Sequence, residues 1–466
     1  MKNSRGTELA KNTAIITIGK ISTQFVSFLL LPLYTAVLST SEYGTVDFIT
    51  TLIQLLIPIA SLMIDQGVFR FLLTSNDNQS KKLIITGSMA FQTIINFITL
   101  TLGIIIYLIN RNQYIIWLML ILTATSYSNL ILQIARGVKK IADYALGSFI
   151  CSSITIVLNV LFIVNLKLGS VGMLAAIFLG NFTTAIIMFF KQKIFRYISF
   201  KDISRDTIKQ LLRYSVPFVP NQLSVWIINS SDRFIVTFIL GASANGLLAI
   251  SHKFPVVFMT FFNIFLLAWH ETGAIHYFDE DRDDFFSNTI NELVSFFATL
   301  CIGIILVLTI CFDWIINTVY FGAYYNIPIY MIASMCNVLI GLLGVIYVAT
   351  KKTVEIAKTT VIAAVLNIII HILLISKIGL YAASVSTLTG YLIALVCRII
   401  DAKKYIKIRY DISKYVLLFM IFALSCFIYY IQNKLLAVIA LVLYVPFSVI
   451  ANKNMMLQIF TRKKVL

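Results

Sequence analysis

The chain has 466 residues, 59% of them hydrophobic and only 12% charged, with a mean hydropathy of +0.91. A soluble domain carries roughly 25% charged residues, so the composition excludes a water-soluble enzyme, a disordered tail and an ordinary nucleic-acid binder. The net charge of +17, from 37 Lys and Arg against 20 Asp and Glu, is read as cations retained on the cytoplasmic side of a membrane, with no nucleic-acid partner. Cys151, Cys301, Cys311, Cys336, Cys397 and Cys426 stand singly, with no CxxC or Cys/His cluster, so neither a metal centre nor a disulfide framework is expected. The polar first residues and the long apolar run behind them do not fit a cleavable leader.

A helix needs about 20 apolar residues to cross the hydrocarbon core. Segments of that scale follow one another at 13–38, 45–72, 83–109, 114–135, 144–165 and 171–190. After a basic stretch they resume at 211–240, 246–271, 289–311, 327–350, 354–376 and 380–400, and two more stand at 414–431 and 434–450. The expectation is an all-α polytopic membrane protein of about 14 transmembrane helices, because in lipid each segment must satisfy its own backbone.

Basic residues gather in alternate connections: Lys2, Arg5 and Lys11 before the first span, Arg70, Lys81 and Lys82 after the second, Arg136, Lys139 and Lys140 after the fourth. The run from Lys191 to Lys209, the pair Lys351 and Lys352, the run from Arg398 to Lys414 and the basic tail continue the series, whereas the opposite connections hold only Arg111, Lys167, Lys377 and Lys434. That asymmetry predicts an even number of spans in a cell membrane, with both termini cytoplasmic. One connection is acidic, Asp279-Glu280-Asp281-Arg282-Asp283-Asp284. Asp281 and Asp283 have the spacing of a divalent-metal DxD, but a solvated acidic loop is the simpler expectation and no metal is assigned.

The two halves echo each other. Leu38-Ser-Thr-Ser-Glu-Tyr-Gly44 after the first span is answered by Leu240-Gly-Ala-Ser-Ala-Asn-Gly246 after the seventh. Asn159 and Asn367 share a Val-Leu-Asn context, and Lys167-Leu-Gly169 matches Lys377-Ile-Gly379. Two six-helix pseudo-repeats of the same orientation are expected, at 1–203 and 204–410, followed by two additional helices and a tail at 411–466; transporters place substrate between such repeats.

Polar residues form stripes at helical spacing. The first span carries Thr13, Thr17, Lys20, Gln24 and Ser27, and the second Asp47, Thr51, Gln54, Pro58, Ser61 and Asp65. The seventh, entered through Pro217 and Pro220, carries Gln222, Asn229, Asp232 and Arg233; the eighth carries His252, Lys253 and Pro255. Charges within a membrane normally face a wet cavity or one another. A cavity between the halves is therefore expected, lined by the first, second, seventh and eighth spans. Pairing Lys20 with Asp65, and Asp232 with Lys253, leaves Arg233 uncompensated, which suits a phosphate or diphosphate held by its fork. Lys20, Gln24, Gln54, Gln222, Asn229, Arg233 and Lys253 are the candidate substrate ligands; Asp65 and Asp232 are the candidate ion-coupling residues. The simpler alternative is that these charges staple helices together. Lys358 is expected to snorkel, and Asn367 with His371, on one helix face, to bond between helices.

The Asn12-Thr-Ala start, Leu-Pro-Leu-Tyr-Thr at 31–35, Leu38-Ser-Thr-Ser-Glu-Tyr-Gly44 and Asp232-Arg233-Phe-Ile resemble the Wzx-type polysaccharide flippases, of the superfamily that also holds MATE drug exporters and lipid II flippases. The resemblance covers nearly the whole chain and rests on short motifs. It implies transport of an oligosaccharide repeat unit on an undecaprenyl diphosphate carrier to the outer leaflet, by alternating access of two six-helix lobes. It also implies coupling to an H+ or Na+ gradient, no cofactor, and admits a polysaccharide polymerase and a chain-length regulator as partners. A MATE-like exporter of small cations would want surplus acid in its cavity, where Asp65 and Asp232 face three bases. A polymerase or glycosyltransferase would want catalytic residues on a sizeable outer loop, and residues 312–326 offer only Asp313 as an acid.

Overall fold

The computed structural model describes residues 28–453 apart from 76 and 351, and its regular structure there is helical throughout. Among the described residues, 12 helices are long and apolar enough to cross a membrane, or 13 when the bent pair Arg205–Ile227 and Asn229–Leu240 is one span. These are the second to the fourteenth of the expected spans. Most of the first, with Lys20 and Gln24, lies outside the described residues. The chain is a multi-pass membrane protein. By packing it divides into two units, Met1–Thr237 and Phe238–Leu466.

The first unit contains α1 (Leu31–Val37), α2 (Thr40–Ser61), α3 (Ile64–Thr74), α4 (Asn78–Asn110), α5 (Gln113–Gly137), α6 (Ile141–Asn159), α7 (Gly169–Lys191), α8 (Arg205–Ser215) and most of α9 (Phe218–Leu240). Ser39 starts α2 with a reciprocal capping box: its Oγ accepts from the Glu42 N–H, and the Glu42 carboxylate accepts from the Ser39 N–H at 3.0 Å. Asp77 caps α4 by accepting the Ser80 N–H at 2.7 Å.

The second span is not the continuous helix expected. Leu62 and Met63 take left-handed φ values of 47° and 55°, dividing α2 from α3. Pro58 brings no N–H to the ladder one turn earlier, and Ser61 Oγ accepts the Met63 N–H at 3.2 Å in place of a helical carbonyl. Neither Leu nor Met has a local reason to adopt that conformation, so the surrounding packing imposes it. Beyond the break, Ile64, Val68 and Leu72 of α3 pack into a core with Ile85 of α4, Leu130 and Ile134 of α5, and Leu211 of α8.

The seventh span is interrupted as well. The amphipathic α8 ends at Ser215, whose Oγ accepts the Gly67 N–H of α3 at 3.0 Å. The chain then bends by 59° between Ile227 and Asn229. Asn229 Nδ2 donates to the Val225 carbonyl at 2.9 Å, a side chain entering the helical ladder at the bend.

The second unit holds α10 (Ala242–His276), α11 (Arg282–Ile315), a 3-10 turn (Thr318–Asn326), α12 (Ile327–Ala349), α13 (Thr353–Ile378), α14 (Tyr381–Ala402), α15 (Ile412–Ile431) and α16 (Lys434–Ala451). Arg398 of α14 is buried and donates to the Ile340 carbonyl of α12 at 2.7 Å and to the Thr359 hydroxyl of α13 at 3.2 Å, tying three helices together. Asn367 Nδ2 of α13 donates to the Thr387 hydroxyl of α14 at 3.2 Å. The last two helices dock on α11 through Ile302, Leu306, Leu418 and Tyr444. Tyr324 and Tyr429 stack at 3.8 Å and each donates its hydroxyl to the other's carbonyl at 2.9 Å. Phe419, Met420, Phe427, Leu435 and Leu443 of this hairpin are exposed, the lipid-facing surface of a membrane helix pair.

Candidate substrate cavity

Within the first unit, α2, α3, α5, α6 and α9 line a half-open cavity of about 550 Å3. The helix break builds part of it: Gln54 and Pro58 come from α2, and Met63, Asp65 and Gln66 from the break and the first turn of α3. Asn129 and Gln133 come from α5, Tyr144 and Ser148 from α6, and Gln222, Trp226, Asn229 and Ser230 from α9. The polar lining is dominated by carboxamides, with Asp65 as its carboxylate and no Lys or Arg among the described lining residues. Gln66 Nε2 donates to Asp65 Oδ2 at 2.7 Å. Gln133 Oε1 is buried with no hydrogen-bond partner among the described atoms. Trp226 is fixed by its indole N–H, which donates to the Thr51 carbonyl at 2.9 Å, and by an edge contact with Phe234 at 5.1 Å.

Two turns along α2 and one along α9, the same two helices meet in a charged seam. Arg233 Nε lies 3.1 Å from Asp47 Oδ2, and Phe48 packs on Phe234 with ring centroids 4.9 Å apart. The expectation that Arg233 stands uncompensated is therefore corrected: its counter-charge is Asp47, a residue of the polar stripe that had been given no partner. Asp232 is largely buried, and its Oδ1 accepts the Arg233 N–H at 2.9 Å.

Of the residues expected from the sequence, Gln54, Asp65, Gln222 and Asn229 share this cavity. Arg233 lies one turn beyond its lining, and Lys253 belongs to the second unit. Lys20 and Gln24 are outside the described residues. The lining also draws on the fourth and fifth spans, which had not been expected. Asn129 with Gln133, and Tyr144 with Ser148, stand at i, i+4 in their helices, a signal the sequence did offer. Trp226 and Gln66 gave none, since a single Trp or Gln in an apolar run has no period. A second cavity, of about 270 Å3 in the second unit, is lined by apolar residues and Tyr415 alone. In the acidic connection, Asp279 pairs with His276 at 2.6 Å and Asp284 with Arg409 at 3.2 Å. Among the described residues, no group of three or more His, Cys, Asp or Glu gathers as a metal site.

By fold the chain is similar to a multidrug resistance MATE family transporter of the MOP superfamily in its inward-facing conformation, with a TM-score of 0.69 at 14% identity over 83% of this chain and 97% of that one. It is similar to the lipid II flippase MurJ in an inward closed conformation, with a TM-score of 0.66 at 14% identity over 94% of this chain and 99% of that one. Among curated protein sequences nothing matches. The sequence profile of the family described as polysaccharide biosynthesis protein matches residues 9–269, more than half of the 466. The chain belongs to that polysaccharide biosynthesis family and has the fold of the MOP-superfamily transporters.

Proposed function

We propose that the chain is a flippase that carries an oligosaccharide linked to undecaprenyl diphosphate from the cytoplasmic to the outer leaflet of the cell membrane by alternating access. The observation that carries this reading is the carboxamide-rich cavity among membrane helices, in a chain of a polysaccharide biosynthesis family. Polar and ionisable groups inside a bundle of membrane helices mark a path for polar cargo. A lipid II flippase of the same fold adds weight. In this reading Gln54, Gln222 and Asn229 face the cargo, and Lys20 and Arg233 take the diphosphate, Arg233 once its pair with Asp47 has opened. Asp65 exchanges an H+ or Na+, with Asp232 as the second candidate.

The test uses proteoliposomes holding the full chain and a fluorescently labelled undecaprenyl-diphosphate oligosaccharide. Movement of label from one leaflet to the other, read by its accessibility to an impermeant lectin, is the expected result. No movement above protein-free vesicles would overturn the reading. The lone acid in the described lining favours a second reading, export of a small organic cation. Gradient-driven uptake of such a cation without glycan movement would put that reading first.

A further inference from the structure

The geometry points to the cavity of the first unit as a seat for uncharged sugar rings, with the diphosphate held outside it. This deepens the flippase reading and rests on it.

Charge separates the two parts of the cargo. A diphosphate taken out of water needs cationic, preferably bidentate, partners. The described lining offers none, and Asp65, its one ionisable acid, cannot supply positive charge in either protonation state. Among the described residues the nearest guanidinium along α9 is Arg233, one turn beyond Asn229 and Ser230 and outside the cavity lining. The diphosphate is accordingly assigned to the α2–α9 seam and the sugar to the cavity.

The lining chemistry matches a neutral sugar. A carboxamide both donates and accepts, as do the hydroxyl and acetamido groups of a sugar. Gln54, Gln66, Asn129, Gln133, Gln222 and Asn229 supply six such groups around one space. Gln133 lines the same space, and its Oε1 is a buried acceptor with no hydrogen-bond partner among the described atoms, so this amide is not committed to the protein at both ends. A pyranose also has an apolar C–H face, and Trp226 offers a flat apolar surface beside the amides. The indole is held by the Thr51 carbonyl and Phe234 before any ligand arrives, so little order is lost on binding. At about 550 Å3 the space lies within the roughly 300–1,000 Å3 of small-ligand sites. It takes a short segment of a glycan, not a polymer.

The experiment is a binding titration of the full chain in detergent, read by tryptophan fluorescence. The probes are a panel of neutral mono- and disaccharides, including N-acetylglucosamine, galactose and rhamnose, with inorganic pyrophosphate and tetraphenylphosphonium as competitors. At least one neutral sugar should give a saturable change that Trp226→Phe removes. Gln133→Leu, which keeps the reporter, should weaken it at least fivefold. Pyrophosphate should not displace the sugar. Displacement by pyrophosphate, displacement by tetraphenylphosphonium, or no response to any neutral sugar overturns the assignment. The proteoliposome experiment reads the flippase reading separately. Glycan movement without sugar binding sinks the cavity assignment alone, and sugar binding without glycan movement sinks the flippase reading alone.

Discussion

Met63, at φ 55° next to Leu62 at 47°, holds a conformation that costs an L-residue about 1–2 kcal/mol. Met63 also lines the cavity, with Asp65 and Gln66 in the turn that follows, so strain and the candidate cargo site coincide, a frequent association in proteins. Glycine enters the left-handed region without that cost. Met63→Gly should therefore melt at or slightly above the parent temperature in detergent. Met63→Ile, β-branched and worst suited to positive φ, should lose about 1–2 kcal/mol. Equal melting temperatures for the two variants would mean that the break is not held at this residue. Nothing in the sequence announced it: Leu62 and Met63 read as two more apolar residues of one long span, and the Pro58 that weakens the ladder lies a turn away. The polar lining was more legible, because Gln54 and Asp65 keep helical spacing with their neighbours.

At the scale of helices, α2 and α9 are joined by three different contacts: the Arg233–Asp47 ion pair, the Trp226–Thr51 hydrogen bond and the Phe48–Phe234 ring pair. Removing one partner of a largely buried ion pair costs about 3 kcal/mol or more. Arg233→Ala should accordingly lower the melting temperature, and the exchanged pair Asp47→Arg with Arg233→Asp should recover much of it. Parent-like melting of Arg233→Ala would remove the seam from the account. Arg233→Lys keeps the charge but loses the fork, so a loss of glycan transport in that variant with melting unchanged assigns Arg233 to the diphosphate as well. The spans were legible in the sequence because 20-residue apolar runs are unmistakable, and so was Asp47 as part of a stripe. Its pairing with Arg233 was not, because two helices far apart in sequence have no fixed register until they pack.

For the molecule as a whole, the lopsided basic connections predict both termini and residues 191–209 on the cytoplasmic side. A cysteine replacing Lys201 in a Cys-free chain should resist impermeant thiol reagents in right-side-out vesicles, and rapid labelling would invert the map. In the proposed flippase, energy coupling is assigned to Asp65. It is the one carboxylate in the described cavity lining, and its hydrogen bond comes from Gln66, a neutral group that cannot cancel its charge. A carboxylate so placed among membrane helices is neutralised most cheaply by a proton or a sodium ion. Its affinity for that cation then changes with whatever else occupies the cavity, since a polar cargo donating to the carboxylate favours the ionised form. That reciprocity links cargo and cation through one side chain. Asp65→Asn keeps the shape and the hydrogen-bonding capacity while deleting the exchangeable charge. Proteoliposomes carrying it should still move labelled glycan down its own gradient, at a rate that no longer rises when a proton or sodium gradient is imposed. A gradient response equal to the parent's would clear Asp65 of the coupling role and pass the question to Asp232, buried beside the Arg233 backbone N–H.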